Sequence, residues 1–246
     1  MKLMIAVLSV FTCYMINGCK KESSPANVYT IPPPLIGKTY SALELAGFKE
    51  ITINGVYNNG SIKKLPKETF VYLADTTYPR LTRELDSLIS EVNSQTDTNL
   101  VVKRTTNSQM ATITVYLTDR NTFEAKVPSS VHAFNTSAYE LKGLTVPYWN
   151  SQGIINSVSV FVDMQLSAGD TSRQIFLLRH EMMHSFGFLG HVDIINYLGS
   201  ILFYFWITPT ITTYSYFDKI MIHLLYNPAI KPGMKNQDLD AVLVNL

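Results

Sequence analysis

The residues His180-Glu181-Met182-Met183-His184-Ser185-Phe186-Gly187-Phe188-Leu189-Gly190-His191 hold the densest potential chemistry in the 246-residue chain. On a helix of about 3.6 residues per turn, His180 and His184 leave the same face one turn apart and can share one metal ion. Neutral imidazole suits zinc. Glu181 sits at the rim of that face, placed to hold and deprotonate a water beside the metal without itself being a ligand. A straight helix cannot bring a third ligand to a tetrahedral angle, so the chain must turn. Gly187 supplies the break, because glycine accepts the left-handed conformation that ends helices. His191, beyond it, is the expected third ligand, with Asp193 in reserve. Three ligands leave a fourth position for water, as a catalytic zinc site requires. The pattern points to Zn2+ as cofactor, to His180, His184 and His191 as metal ligands, and to Glu181 as the catalytic general base of a hydrolase.

The same residues resemble the metzincin motif HExxHxxGxxH. One departure stands out: position 190 is glycine, and His191 falls one place later than the third histidine of the motif. Gly190 is read as a one-residue bulge that lets His191 reach the metal. A zincin that takes a glutamate ligand from a later helix is excluded, since no glutamate follows Glu181. At average residue usage, HExxH would arise by chance in a chain of this length roughly one time in a hundred, and Gly187 with His191 makes the coincidence rarer.

The resemblance implies a zinc metallopeptidase of α+β class, a zincin or metzincin-like catalytic domain in which a mixed sheet backs an active-site helix carrying HExxH. It also implies a turn with a methionine beneath the metal, followed by a tyrosine. Ser200-Ile201-Leu202-Phe203-Tyr204 is the nearest match, with leucine in the methionine's place. Leucine fills the same apolar volume, and the methionine is a packing floor, not a ligand. Tyr204 is a candidate transition-state or substrate contact, weighed against core packing in a segment rich in aromatics. The C-terminal stretch LLYNPAIKPGM, 224–234, is similar to a bacterial family of metzincin-like lipoproteins ending in LLYxPxxxPGM, which extends the match from about Lys63 to the C-terminus.

Several elements must position the motif. Asp170 or Ser167 can cap a helix whose apolar residues Ile175, Phe176, Leu178, Met182, Met183 and Phe186 run to Gly187. Just before it, residues 157–163 (SVSVFVD) read as a strand. Residues 68–75 form another strand, and Pro79 opens a helix striped by Leu81, Leu85, Leu88, Ile89 and Val92. A short strand is expected over 100–103. Over 111–118, Ile113, Val115 and Leu117 alternate with Thr112, Thr114 and Tyr116, as in a half-buried strand suited to a sheet edge. The metzincin resemblance implies that the strand bordering the cleft binds extended peptide by adding it to the sheet. Residues 51–57 and 61–65, joined at Asn58-Asn59-Gly60, suggest a hairpin. His132, in an expected loop, and His223, on an apolar helix, are read as structural.

The N-terminus carries a second message. Lys2 precedes an apolar run over 3–16, too short for a comfortable membrane span, which ends in Ile16-Asn17-Gly18-Cys19. This resembles a lipobox, implying cleavage before Cys19 and lipidation of that cysteine. Cys13 and Cys19 are the only cysteines, so no thiol remains for a disulfide or for nucleophilic catalysis. The expected organisation is a lipoprotein signal peptide over 1–18, a lipidated tether rich in lysine, serine and proline over 19–45, and the protease domain over 46–246. Acyl chains on Cys19 would anchor the domain in the bacterial cell envelope, at the outer membrane, facing the periplasm or the exterior. Lys and Arg total 20 against 19 Asp and Glu, a formal charge of +1, with no basic patch interleaved with aromatics, so nucleic acid is not an expected partner. The expected partners are a peptide or protein substrate and the membrane, and the expected state is a monomer. The alternative is a surface lipoprotein that binds protein or glycan on a zincin scaffold with a structural or decayed metal site. Glu181 argues against it, since a structural zinc has no use for a base there.

Overall fold

The computed structural model describes residues 39–54, 59–137, 141–192, 199–203 and 211–246. The chain divides into a unit of Met1–Pro33 and a unit of Pro34–Leu246, and the described residues all belong to the second. The expected signal peptide and lipidation site Cys19 lie outside the described residues, as do Asp193 and Tyr204.

The first element, α1 (Ala42–Lys49), begins inside the stretch expected as tether. Ser41 Oγ accepts from Glu44 N–H at 3.2 Å while the Glu44 carboxylate accepts from Ser41 N–H at 2.7 Å, a capping box that starts a helix whatever follows. The helix continues into a π-helical turn, Glu50–Asn54, with Phe48, Ile51 and Ile53 buried. The expected hairpin is therefore not formed. Its turn chemistry is real, since Asn59 and Gly60 both have positive φ, but Ser61 bridges to Lys235 and Ile62 exchanges hydrogen bonds with Gly233 and Met234. The strand partner is the PGM segment at the far end of the chain, and helical spacing at Leu45, Phe48 and Ile51 takes the residues that precede the turn.

A five-stranded mixed sheet forms the centre: β1 (Glu68–Leu73), β2 (Val101–Thr105), β3 (Ile113–Thr118), β4 (Gly143–Trp149) and β5 (Ile155–Asp163), in the order β2-β1-β3-β5-β4. All neighbours are parallel except β4, which runs antiparallel to β5 at the edge. With its helices, this makes the molecule α+β. The expected edge role of β3 is corrected: it lies in the middle, paired to β1 and β5. Its alternation reflects two different covers, not one face in water. Ile113, Val115 and Leu117 face the main core, and Tyr116 packs edge-on to Phe123 at 5.3 Å between centroids.

Helix α2 (Pro79–Gln95) crosses from β1 to β2 and buries its predicted stripe of Leu81, Leu85, Leu88, Ile89 and Val92. Helices α5 (Thr171–Ser185) and α6 (Tyr216–Leu225) pack with it, contributing Leu178, Met182, Met183, Ile220 and Met221 to the same core. The opposite sheet face is covered by α3 (Arg120–Lys126) and α4 (Ser130–Thr136), where Phe123, Val127, Phe134 and Phe161 form a second cluster. His132 thus lies on a helix instead of the expected loop. The chain ends in α7 (Asn236–Leu243), whose Leu239 and Leu243 are buried. Among the described residues, no helix is long and apolar enough to cross a membrane.

Candidate metal centre

Helix α5 leaves β5 through Asp163 and Asp170. Asp170 accepts from Arg173 N–H at 2.9 Å and caps the helix, as its sequence position suggests. The helix is tied down one residue before the motif. Buried Arg179 reaches back to α2, pairing with Glu84 at 2.6 Å and Glu91 at 2.7 Å, and Glu91 also meets Lys219 of α6 at 2.9 Å. The Tyr214 hydroxyl donates to the Arg179 carbonyl at 3.2 Å, and its ring lies 5.0 Å from the guanidinium. These contacts fix the rotation of α5 about its axis, and with it the direction of the next residue, His180.

At the other end the chain turns at Gly187, with φ of 110°. A Cβ there would stand 2.3 Å from the Lys63 carbonyl oxygen, so only glycine fits. The segment that follows is held on both sides of His191. Gly190 N–H donates to the Ile51 carbonyl, and Val192 N–H to the Leu202 carbonyl, each at 3.0 Å. The residues at 51–53, expected in a hairpin, thus serve as the seat of the third histidine's loop.

The three expected metal residues come together. His180 Nε2 lies 3.1 Å from His184 Nε2, and His191 Nε2 lies 3.2 Å from each. Tetrahedral bonds of 2.0–2.1 Å to one zinc ion require neighbouring nitrogens roughly 3.3 Å apart, so the triangle has the size of a zinc face. Its protonation also fits. His180 Nδ1 donates to the Ile201 carbonyl at 2.7 Å, and His184 Nδ1 donates to the Phe188 carbonyl. A carbonyl cannot donate, so both protons sit on Nδ1 and both Nε2 atoms present lone pairs. Burial pushes all three imidazoles down from their ordinary range, His191 to about 3, with the neighbouring His180 adding to its shift. The lone pairs of His180 and His184 face each other and His191 Nε2 across 3.1–3.2 Å, an arrangement that a cation between them stabilises. The donor set therefore fits a metal ion.

Glu181 is buried against β4. Thr145 Oγ lies 2.8 Å from Glu181 Oε2 and 2.8 Å from its backbone carbonyl. Gly143 makes the space: a Cβ there would stand 2.5 Å from Glu181 Oε1. Burial pushes the carboxyl up to about 8, against the lowering effect of the Thr145 hydroxyl.

Of the segment expected to form a turn beneath the metal, residues 200–203 are described. Ile201 and Leu202 are fully buried, Phe203 bridges in parallel to Val192, and the Ile201 carbonyl is the one that holds His180. His223 Nδ1 donates to the Gln95 carbonyl at 2.9 Å, a packed position as expected. Four participants escape a reading of the motif alone: Arg179, Gly143, Thr145 and Phe176, whose ring stacks on His180 at 5.6 Å. Phe176 precedes His180 by one helical turn and could have been found from that spacing. Thr145 and Gly143 belong to β4, and only the pairing of β4 with β5 brings them beside Glu181.

No curated protein matches the chain. A family model described as "Protein of unknown function (DUF2927)" matches residues 43–245, from α1 past the end of α7. Because that match spans the described fold from end to end, the chain belongs to the DUF2927 family.

Proposed function

We propose that this protein is a zinc-dependent metalloendopeptidase with a metzincin-like catalytic domain. The observation that carries the proposal is the convergence of three imidazole Nε2 atoms within 3.2 Å of one another, two from the helix that also bears Glu181 and the third, of His191, from the loop that follows it. His180, His184 and His191 would hold Zn2+. When bound, the metal supplies Lewis acidity toward a peptide carbonyl and makes a water acidic enough to attack near neutral pH. Glu181 takes the proton from the attacking water and hands it to the leaving amine, so no protein nucleophile is needed. A cation nearby favours the ionised form of Glu181, offsetting the burial that otherwise keeps it protonated.

The edge strand supports a peptide substrate. Asp163 N–H donates to the Lys142 carbonyl, which fixes Leu144, Val146 and Tyr148 as the residues whose backbone pairs with β5. Gly143, Thr145 and Pro147 then turn their backbone groups away from β5, to the side where no strand pairs among the described residues. Proline costs the ladder nothing at such a position. A peptide added there would run beside Glu181, as the metzincin resemblance implies for the strand bordering the cleft. Lipid anchorage at Cys19 and location in the bacterial envelope belong to the same proposal and rest on the sequence of the N-terminus.

The test is cleavage of a mixed peptide library by the zinc-loaded protein and by Glu181→Gln. The expected outcome is cleavage by the first and a loss of about 10²-fold or more in the second, with its zinc content unchanged. Equal activity in both would remove Glu181 from the mechanism.

A further inference from the structure

Asp218, in the first turn of α6, is fully buried and accepts more hydrogen bonds than its helix needs. Two come from the cap: Ser215 N–H and Ser215 Oγ, both at 2.8 Å to Oδ2. Asp218 N–H closes the box by donating to Ser215 Oγ at 3.1 Å. The other two come from the turn whose Ile201 carbonyl holds His180. Ile201 N–H donates to Oδ2 at 3.1 Å, and Ser200 Oγ donates to Oδ1 at 2.5 Å.

The chain of bonds continues. Ser200 Oγ accepts from Leu202 N–H at 3.1 Å. Leu202 N–H and the Ile201 carbonyl are the two ends of one peptide group, and that carbonyl accepts the Nδ1 proton of His180 at 2.7 Å. A carboxylate, a hydroxyl, a peptide group and an imidazole are thus linked in series, each donating toward Asp218. In such a series every bond polarises the next. Electron density pushed onto the Ile201 carbonyl strengthens its hold on the Nδ1 proton, which fixes the ring and makes Nε2 a better donor to a metal. Capping α6 requires Ser215 alone; it gives no reason for the carboxylate to reach Ser200.

We propose that Asp218 and Ser200 are positioning residues for the metal centre, acting on His180 through the Ile201–Leu202 peptide group. The inference rests on the metal-centre reading above and deepens it. Two serines touch the same carboxylate, and only one belongs to the series, which makes the test selective. Ser200→Ala cuts the series and leaves the cap; Ser215→Ala cuts the cap and leaves the series.

The experiment is a Zn2+ titration of the full chain against a competing chelator, with a parallel Co2+ titration read by absorption, for the wild type and both variants. The wild type is expected to bind one equivalent. Ser200→Ala is expected to lose about tenfold or more in zinc affinity and to shift its Co2+ spectrum. Ser215→Ala, although it lowers Tm through the lost cap, is expected to keep its affinity within about twofold of the wild type and its spectrum unchanged, since the series from Asp218 through Ser200 to His180 stays intact. Equal affinities and identical spectra in the two variants would overturn the proposal. If Ser200→Ala does not fold, Asp218→Asn, which keeps the side-chain volume and removes the charge, is expected to show the same loss, and unchanged affinity there would overturn it equally. A wild type that binds neither metal would instead bring down the metal centre itself.

Discussion

At His180 and His184 the Nδ1 protons are committed to carbonyl oxygens, so each ring turns a lone pair toward its neighbours. Glu181 meets the opposite pressure, since burial favours its protonated form. In the metal-free protein these groups pull stability in opposite directions with pH. His191, lowered from 6.5 to about 3, contributes stability that is present above its ordinary value and is lost as pH falls through that window. Glu181, raised from 4.5 to about 8, contributes stability present below 4.5 that is lost as pH rises through about 8. Glutamine imitates the protonated carboxyl at every pH. Metal-free Glu181→Gln should therefore unfold at a higher Tm than the metal-free wild type at pH 8 and above, the gap closing toward pH 5; a gap independent of pH would contradict the buried-carboxyl assignment. The histidines and Glu181 were legible in the sequence because their side chains carry the chemistry. The carbonyls of Ile201 and Phe188 were not, because every residue has one and only the fold selects which are used. Gly143 was equally silent, since its contribution is the absence of a side chain beside Glu181.

The elements that read correctly are those whose patterning is local. The stripe of α2, the β-branched run of β5 and the Asp170-to-Gly187 limits of α5 all depend on residues near one another in the chain. Those that misread depend on distant partners. The turn at Asn59-Gly60 forms, yet its second arm pairs with Lys235 and Met234, which no local pattern announces. The alternation of β3 looked like an edge because the aromatic cover supplied by α3 and α4 lies in separate segments. β4 carries a proline, Pro147, and no strict alternation, so no local pattern announces it, although an edge strand is where a proline fits. Gly187 shows how tightly one element end is specified. Gly187→Ala forces an L-residue to φ of 110° with its Cβ against the Lys63 carbonyl. The expected cost is about 1–3 kcal/mol, read as a lower urea midpoint with an unchanged m value. A variant as stable as the wild type would mean that the chain can leave α5 by another route.

On the scale of the whole molecule, the sheet, α2 and α6 converge on one task, holding α5 so that its histidines meet the loop seated on Ile51. Arg179 concentrates that support, joining α2 to α5 through Glu84 and Glu91 from a buried position. The family match, from residue 43 to 245, coincides with this assembly. The lipid anchor proposed at Cys19 is separable from it. In a bacterial host fed labelled fatty acid, the full chain should incorporate label and sediment with membranes, and Cys19→Ser should do neither; label retained by the variant would contradict lipidation at that residue. The catalytic zinc ion proposed at His180, His184 and His191 stands at the middle of that assembly. Its most direct test is the metal content of the purified full chain and of His184→Ala, measured beside peptide hydrolysis. One zinc per chain with hydrolysis is expected of the wild type, and loss of both of the variant. Zinc bound equally by the two proteins, or none bound by the wild type, would contradict the proposal.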